Sequence, residues 1–533
     1  MKFERAILIK RRGLRNTEVV KMIRSRVAGI AFASVLATSG SLLFWAEGCG
    51  NTNDSVFDAG SDGGGGEGSM IFDETGLGDA RGCVNLQCAQ DTCAAGVTTN
   101  LTGTVYDPAG KVPLYNAVVY VPNSPSGVLD PLSSGASCDK CGAAVSGFPL
   151  VTALTDARGR FTLKNVPHGA NIPLVVQIGK WRREVHISSV TACVDTPVDV
   201  ALTRLPRNKS EGNIPKIALT TGGADPLECL LRKIGIDDSE FTTESGSGRI
   251  NLYGGYGHGT FTDAGTDGGT VNGSSQFTDG GAFTSAATVW SDYNRLKNYD
   301  IVLMACEGNY TRDTNTKPQA ALDAMFQYAS NGGRVFASHY HDYWFAKGPA
   351  PFPSTGHWLI NDCAAGDVNC YGSVGLITSA NSDTDASVDT TFPKGQALSD
   401  WLVNVGASPV PGYVHIEQAK TTITSVNSPG VDAGAQRWLS AKNFPTPLDS
   451  MQYMTFNTPI QVPDDQKCGR VVYSDLHVSG SVVAGASDVA GQPFPSGCHT
   501  TDLSPQEKAL EFMLFDLSSC IQNDQTAPQP PLK

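Results

Sequence analysis

Tyr299-Asp300-Ile301-Val302-Leu303-Met304-Ala305-Cys306 is a short apolar run without the alternation of a half-exposed strand. Such a run predicts a strand buried on both faces, as in parallel sheets. A helical pattern follows through Ala321, Leu322, Met325 and Ala329 and stops at Asn331-Gly332-Gly333, after which Arg334-Val335-Phe336-Ala337-Ser338 is a second buried strand. Working backward, Lys216-Ile217-Ala218-Leu219-Thr220 is a compact strand, and Asp225-Pro226-Leu227-Glu228 opens a helix with Asp225 as N-cap and Glu228 completing a capping-box-like start. Ile250-Asn251-Leu252-Tyr253 supplies another strand. Working forward, Gly469-Arg470-Val471-Val472-Tyr473-Ser474-Asp475-Leu476-His477 is a strand with a polar tip. The capping box Ser504-Pro505-Gln506-Glu507 then starts a closing helix with Leu510, Met513, Leu514 and Leu517 on one face. Residues 213–521 therefore read as an α/β domain with a mainly parallel sheet and helices on both sides. Residues 254–288, rich in Gly, Thr, Asp and Ser and without an Asp-x-Asp-x-Asp-Gly calcium register, read as a mobile insertion, and 522–533 as a disordered tail.

Upstream, residues 83–205 have strand period. Leu101, Gly103 and Val105 alternate with Thr102, Thr104 and Tyr106 and run into the turn Asp107-Pro108-Ala109-Gly110. Ala117-Val118-Val119-Tyr120-Val121 and Leu174-Val175-Val176-Gln177-Ile178 are further strands, and residues 155–163 read as strand, tight turn, strand. Short strands at this spacing predict a β-sandwich. The fold class is thus multidomain: a β-sandwich followed by an α/β domain, behind a disordered N-terminal tether.

The first 26 residues hold nine basic side chains, and residues 27–45 carry no charge. A positive segment followed by an apolar one is a signal or anchor, here residues 1–48. At about 19 residues the apolar run also reaches the length that spans a ~30 Å hydrocarbon layer. Residues 49–82, with Gly63 to Gly66 uninterrupted, have few side chains able to pack and read as a flexible tether.

Beyond residue 48 there are 30 basic and 49 acidic side chains, a net charge of −19, which argues against nucleic acid as a partner. The chain has 14 cysteines, and an exported address makes most of them disulfides. Cys138-Asp139-Lys140-Cys141 has the spacing of a redox centre or half a zinc ribbon. Its Gly/Ser-rich loop, with no second such pair, favours a structural disulfide. Cys83, Cys88, Cys93 and Cys193 lie at the edges of the sandwich and staple its ends. Cys363 with Cys370, and Cys468 with Cys498, are the candidate loop-closing pairs of the α/β domain.

Three resemblances add to this reading. Ala46-Glu47-Gly48-Cys49 resembles the bacterial lipobox, with Glu47 an unusual member. The resemblance implies a lipid on Cys49 and a place in the cell envelope, periplasmic or surface-exposed; an ordinary cleaved signal and a retained membrane helix are the alternatives. Gly103-Thr104-Val105-Tyr106-Asp107, Asn116-Ala117-Val118-Val119 and Thr155-Asp156-Ala157-Arg158-Gly159-Arg160-Phe161 resemble the carboxypeptidase regulatory-like domain, a transthyretin-like sandwich with a structural or adhesive role. Tyr299-Asp300-Ile301-Val302-Leu303, Asn331-Gly332-Gly333-Arg334-Val335 leading to His339, and Gly469-Arg470-Val471-Val472-Tyr473 leading to His477 resemble the class I glutamine amidotransferase-like fold, in its trehalose-utilisation-protein-like branch. In that family the nucleophilic cysteine follows the strand that is 334–338 here, and the position holds His339, so glutaminase activity is not expected.

Open α/β sheets bind ligands beyond the carboxyl ends of their strands. Glu307 and Asn309, then His339, His341 and Asp342, then Asp475 and His477 fall there and form the candidate pocket. In an extended segment His339 and His341 share a face. The pocket reads first as a hydrogen-bonding rim with no cofactor; a metal held by His339 or His341 with His477 and a carboxylate is the alternative, and acid–base catalysis a third. The functional expectation is an envelope lipoprotein, membrane-anchored through its N-terminus, that binds a carbohydrate, peptide or protein through the α/β domain, with the sandwich as spacer. An envelope hydrolase or sugar-modifying enzyme and a structural envelope component are the competing readings.

Overall fold

A computed structural model describes residues 82–124, 126–255, 274–307, 317–364, 383–427, 434–477, 488, 492–499 and 501–531. Cys49, Asn309 and Cys370 lie outside the described residues, as do the tether and the signal segment. No helix among the described residues is long and apolar enough to cross a membrane.

The sandwich has strands β1 (Asn100–Thr104), β2 (Val118–Val121), β3 (Val151–Leu154), β4 (Arg160–Lys164), β5 (Gly169–Ile178), β6 (Trp181–Val190) and β7 (Asp195–Pro197). They form one sheet in the order β4-β1-β7 and another in the order β3-β2-β5-β6. Leu101, Leu163, Val119, Val176 and Trp181 fill the space between. The turn at Asp156 forms as its sequence predicts: the carboxylate accepts from the amides of Arg158 and Arg160, and Gly159 takes φ +71°. The strands on either side of it, β3 and β4, belong to different sheets, so the chain changes layer there.

Most of the remaining described strands build an 11-stranded mixed sheet. Its parallel half runs β11 (Thr284–Ser285), β10 (Ile250–Gly254), β8 (Ile217–Thr220), β12 (Ile301–Met304), β13 (Arg334–Ser338) and β20 (Gly469–Ser474), with β9 (Phe241–Thr242) beside β10. Every residue of β8, β12, β13 and β20 is buried, in keeping with their unalternating sequence. Beyond β20 the sheet turns antiparallel through β19 (Ser450–Thr458), β18 (Gln436–Ala441), β15 (Thr384–Val388) and β16 (Tyr413–Ile416). The expected mainly parallel sheet thus has an antiparallel half. β14 (Gly356–Trp358) and β17 (Ile423–Val426) pair separately.

Several expectations are corrected. The sandwich is not a detached spacer: residues Ala80–Lys533 form one compact unit, and one apolar core runs from Leu101 in the sandwich to Leu510 in the closing helix. That helix, Pro505–Ser518, is buried around most of its circumference because the sandwich covers the side turned away from the sheet. Tyr115 stacks on Phe512 at 6.0 Å, and Trp181 meets Phe515 edge-on at 5.8 Å. Gly179, at the tip of the β5–β6 turn, sits so close that a Cβ would fall 1.8 Å from the Ser518 carbonyl oxygen.

Cys138 and Cys141 do not bond to each other. Cys138 pairs with Cys468 and Cys141 with Cys520, so the loop that carries them is fastened twice to the α/β unit. Cys498 pairs with Cys229 rather than Cys468. Cys83–Cys88 and Cys93–Cys193 staple the sandwich, and Cys363 is disulfide-bonded. The expected tail is also part of the body: Asp524 is buried and reaches Arg470 at 3.0 Å. Of the expected mobile insertion, residues 274–288 are anchored through buried Phe283 and Ala286, with Phe277 and Phe283 in edge contact at 4.9 Å, while much of the rest of that stretch is exposed.

Candidate functional site

Four parallel strands deliver side chains to one place at their carboxyl ends. β8 runs into Thr221-Gly222-Gly223-Ala224-Asp225, and this turn lies against the end of β12, where a Cβ on Gly222 would fall 2.2 Å from the Cys306 carbonyl oxygen. Glycine is therefore required for Asp225 to fold over the strand ends. Asp225 is not the N-cap of the next helix: Leu227–Lys233 is capped at Pro226, and the Asp225 carboxylate accepts from Ser338 Oγ and lies 2.8 Å from His477 Nδ1. Two residues beyond β12 comes Cys306, whose Sγ is 3.0 Å from His339 Nδ1. His339 follows β13 in a left-handed conformation, φ +49°, which costs a non-glycine residue about 1–3 kcal/mol.

The His339 and His477 rings are 5.1 Å apart between centroids. One donor atom each from Asp225, Cys306 and His477 lies within 4.8 Å of the other two, and all three residues are buried. Nε2 of His339 and Nε2 of His477 have no hydrogen-bond partner among the described residues. Burial, then the neighbouring His477, holds His339 well below the ordinary imidazole range, so its ring is neutral at pH 7.

The other sequence candidates have different work. Residues His339–Asp342 form a helical turn, not an extended segment, so His341 does not share the His339 face. His341 accepts from Trp344 Nε1 at 3.1 Å and donates from Nε2 to the Ala305 carbonyl at 2.8 Å, which commits both ring nitrogens. Burial pushes its pKa down to about 4. Asp342 is buried in the same turn. Glu307 forms a buried ion pair with Lys317 at 2.6 Å, and Lys317 lies 5.3 Å from the Trp290 ring. Asp475 accepts from the Thr422 amide at 2.9 Å and lies 2.8 Å from the Tyr473 hydroxyl, which is also 2.7 Å from the His339 carbonyl oxygen. Burial raises Asp475 to about 6, and its place is behind His339 as support.

Of the sequence candidates, His339 and His477 meet directly. Ser338, which the sequence also places at this strand end, joins them, as do Asp225 and Cys306, which the sequence reading does not name as site residues. The signal that could have found Asp225 is the Thr-Thr-Gly-Gly turn ahead of it, at the end of a buried strand; the signal for Cys306 is a cysteine closing the neighbouring one. The turn position after β13 holds His339, and Cys306 brings a thiol to it from the adjacent strand. The arrangement can hold a proton between thiol and imidazole, orient His477 through a carboxylate, or ligate a cation.

Fold and site together define an α/β protein with a polar strand-end centre. No family model matches the chain, and no curated protein does. Among solved structures, a putative thua-like protein from Bacteroides uniformis ATCC 8492 is similar at 14% identity over 49% of this chain and 80% of its own, with a TM-score of 0.25. A C-terminal interface mutant of a type II cohesin–X-dockerin complex from Acetivibrio cellulolyticus is similar at 17% identity over 28% of this chain and 76% of that chain, with a TM-score of 0.14.

Proposed function

We propose that the protein is an envelope-anchored lipoprotein whose α/β unit takes a small polar ligand, of carbohydrate or peptide class, beyond the carboxyl ends of β8, β12, β13 and β20. The observation that carries this reading is the meeting of Asp225, Cys306, His339 and His477 from four strand ends, with two imidazole nitrogens turned to no partner among the described residues. Open α/β sheets offer their ligand crevice at this location. Export is supported by the basic start, the uncharged run and the five disulfide pairs with both partners described, which persist in oxidising compartments.

Two experiments test the two halves of this reading. Thermal-shift screening of sugars, amino sugars and short peptides is expected to return a ligand whose Kd weakens about tenfold or more when His339 and His477 are both replaced by Ala, the scale of one lost hydrogen bond. Ligands that bind wild type and variant equally would place the site elsewhere. Cys49→Ser is expected to move the protein from detergent to aqueous phase on partitioning, and retention in the detergent would replace the lipid with a membrane helix. A second reading, an envelope hydrolase working from the same crevice, is favoured by the thiol, imidazole and carboxylate donors assembled there.

A further inference from the structure

We infer that Asp225, Cys306 and His477 bind a zinc-class divalent cation, an inference that rests on the strand-end crevice being the ligand site. The geometry of the donors is the first argument. In tetrahedral zinc sites with bonds of about 2.0–2.3 Å, neighbouring donor atoms are roughly 3.5 Å apart. The three donors here already lie within 4.8 Å of one another, so small side-chain adjustments close the set.

Their chemistry is the second. A thiolate, an imidazole and a carboxylate suit a borderline-soft ion, whereas magnesium and calcium take oxygen. A thiolate and a carboxylate together neutralise a dication, which is what a buried centre requires. The pairs seen without an ion, Cys306 with His339 and Asp225 with His477, occupy one nitrogen on each ring and leave Nε2 of both buried histidines unmatched among the described residues. An uncompensated buried donor or acceptor costs about 1–3 kcal/mol.

The surroundings are the third. Ligating groups in built sites are held by a second layer of hydrogen bonds. Ser338 donates to Asp225, and His339 meets the Cys306 sulfur at 3.0 Å. Each ligand comes from the end of a different buried strand, so the set is fixed by the sheet rather than by one loop. Cys306 is a buried thiol, while the other described cysteines are disulfide-bonded. Three protein ligands leave the fourth position of a tetrahedral ion open, the arrangement of sites that act on a bound water or substrate. His339, beside the sulfur, is then a positioning residue.

The test uses the full-length protein, stripped with chelator and titrated with zinc alone. Wild type is expected to bind one zinc per chain and to melt higher with it. His477→Ala and Cys306→Ala are expected to abolish that uptake, and His339→Ala to weaken it about 10–100-fold, the range for an outer partner of a ligand. Should the ligand variants fail to fold, alkylation of Cys306 in the wild type decides the matter, since bound zinc must slow it. Wild type that takes up no zinc, unchanged uptake in folded His477→Ala, or alkylation indifferent to zinc overturns the inference. A sugar or peptide that binds the chelator-treated protein through His339 and His477 would leave the crevice reading standing while the metal falls.

Discussion

Nδ1 of His339 lies 3.0 Å from Sγ of Cys306, an imidazole and a thiol brought together from the ends of two hydrogen-bonded parallel strands. The contact joins a turn residue in a left-handed conformation to a side chain with no solvent exposure. A thiol so placed is protected from oxidation by burial.

Alkylating the unfolded, unreduced protein is therefore expected to label Cys306 and to leave Cys138, Cys141, Cys229, Cys468, Cys498 and Cys520 unmodified. Peptide mass spectrometry reads the result. Labelling of Cys138 or Cys468 would break the clamp that ties the sandwich loop to the sheet.

Arg470, on β20, is buried against Asp516 at 2.6 Å and Asp524 at 3.0 Å, with Lys394 2.8 Å from Asp516. Removing one partner of a buried ionic cluster leaves uncompensated charge, typically at a cost of about 3–5 kcal/mol. Arg470→Ala is expected to lose stability on that scale in urea unfolding. Truncation after residue 521, which removes Asp524, is expected to lower the midpoint too; an unchanged midpoint would make the terminal segment dispensable.

Three buried carboxyls contribute a loss of stability as pH rises from about 4 to about 7, opposed by the buried neutral His339 and His341, whose contributions rise with pH. Burial raises Asp107 to about 6 and Glu228 to about 7, both above their unfolded values, and lifts Glu511 well above the ordinary range. Each is protonated in the folded chain where the unfolded chain has already ionised, so the unfolded state binds fewer protons and is favoured by rising pH. A shift of two units corresponds to about 3 kcal/mol. Asp107→Asn is expected to flatten the slope of stability between pH 4 and about 6, measured by denaturant midpoints. A slope that stays the same would remove Asp107 as a contributor.

How much of this was legible follows from how each residue is placed. β8, β12, β13 and β20 were readable because a strand buried on both faces carries a continuous apolar stretch with no alternation. β19 is buried along almost its whole length, yet contains Ser450, Gln452, Thr455 and Asn457, whose hydrogen bonds the sequence does not display. His339 and His477 were found because strand ends bind ligands. Asp225 was hidden by the strength of its cap-like context before Pro226, and the disulfides by distance: Cys138 and Cys468 are 330 residues apart, Cys141 and Cys520 379. Sequence spacing favours near partners, and the packing of the sandwich onto the closing helix selects far ones.

The central claim is that Cys306, His477 and Asp225 form one metal-binding centre at the strand ends, and cobalt(II) reports on it directly. Added to metal-free wild-type protein, cobalt(II) is expected to give a thiolate-to-cobalt charge-transfer absorption with intense tetrahedral visible bands, and Cys306→Ser to lose the charge-transfer feature. Cobalt bound without that absorption in the wild type, or the same absorption in Cys306→Ser, would contradict the account.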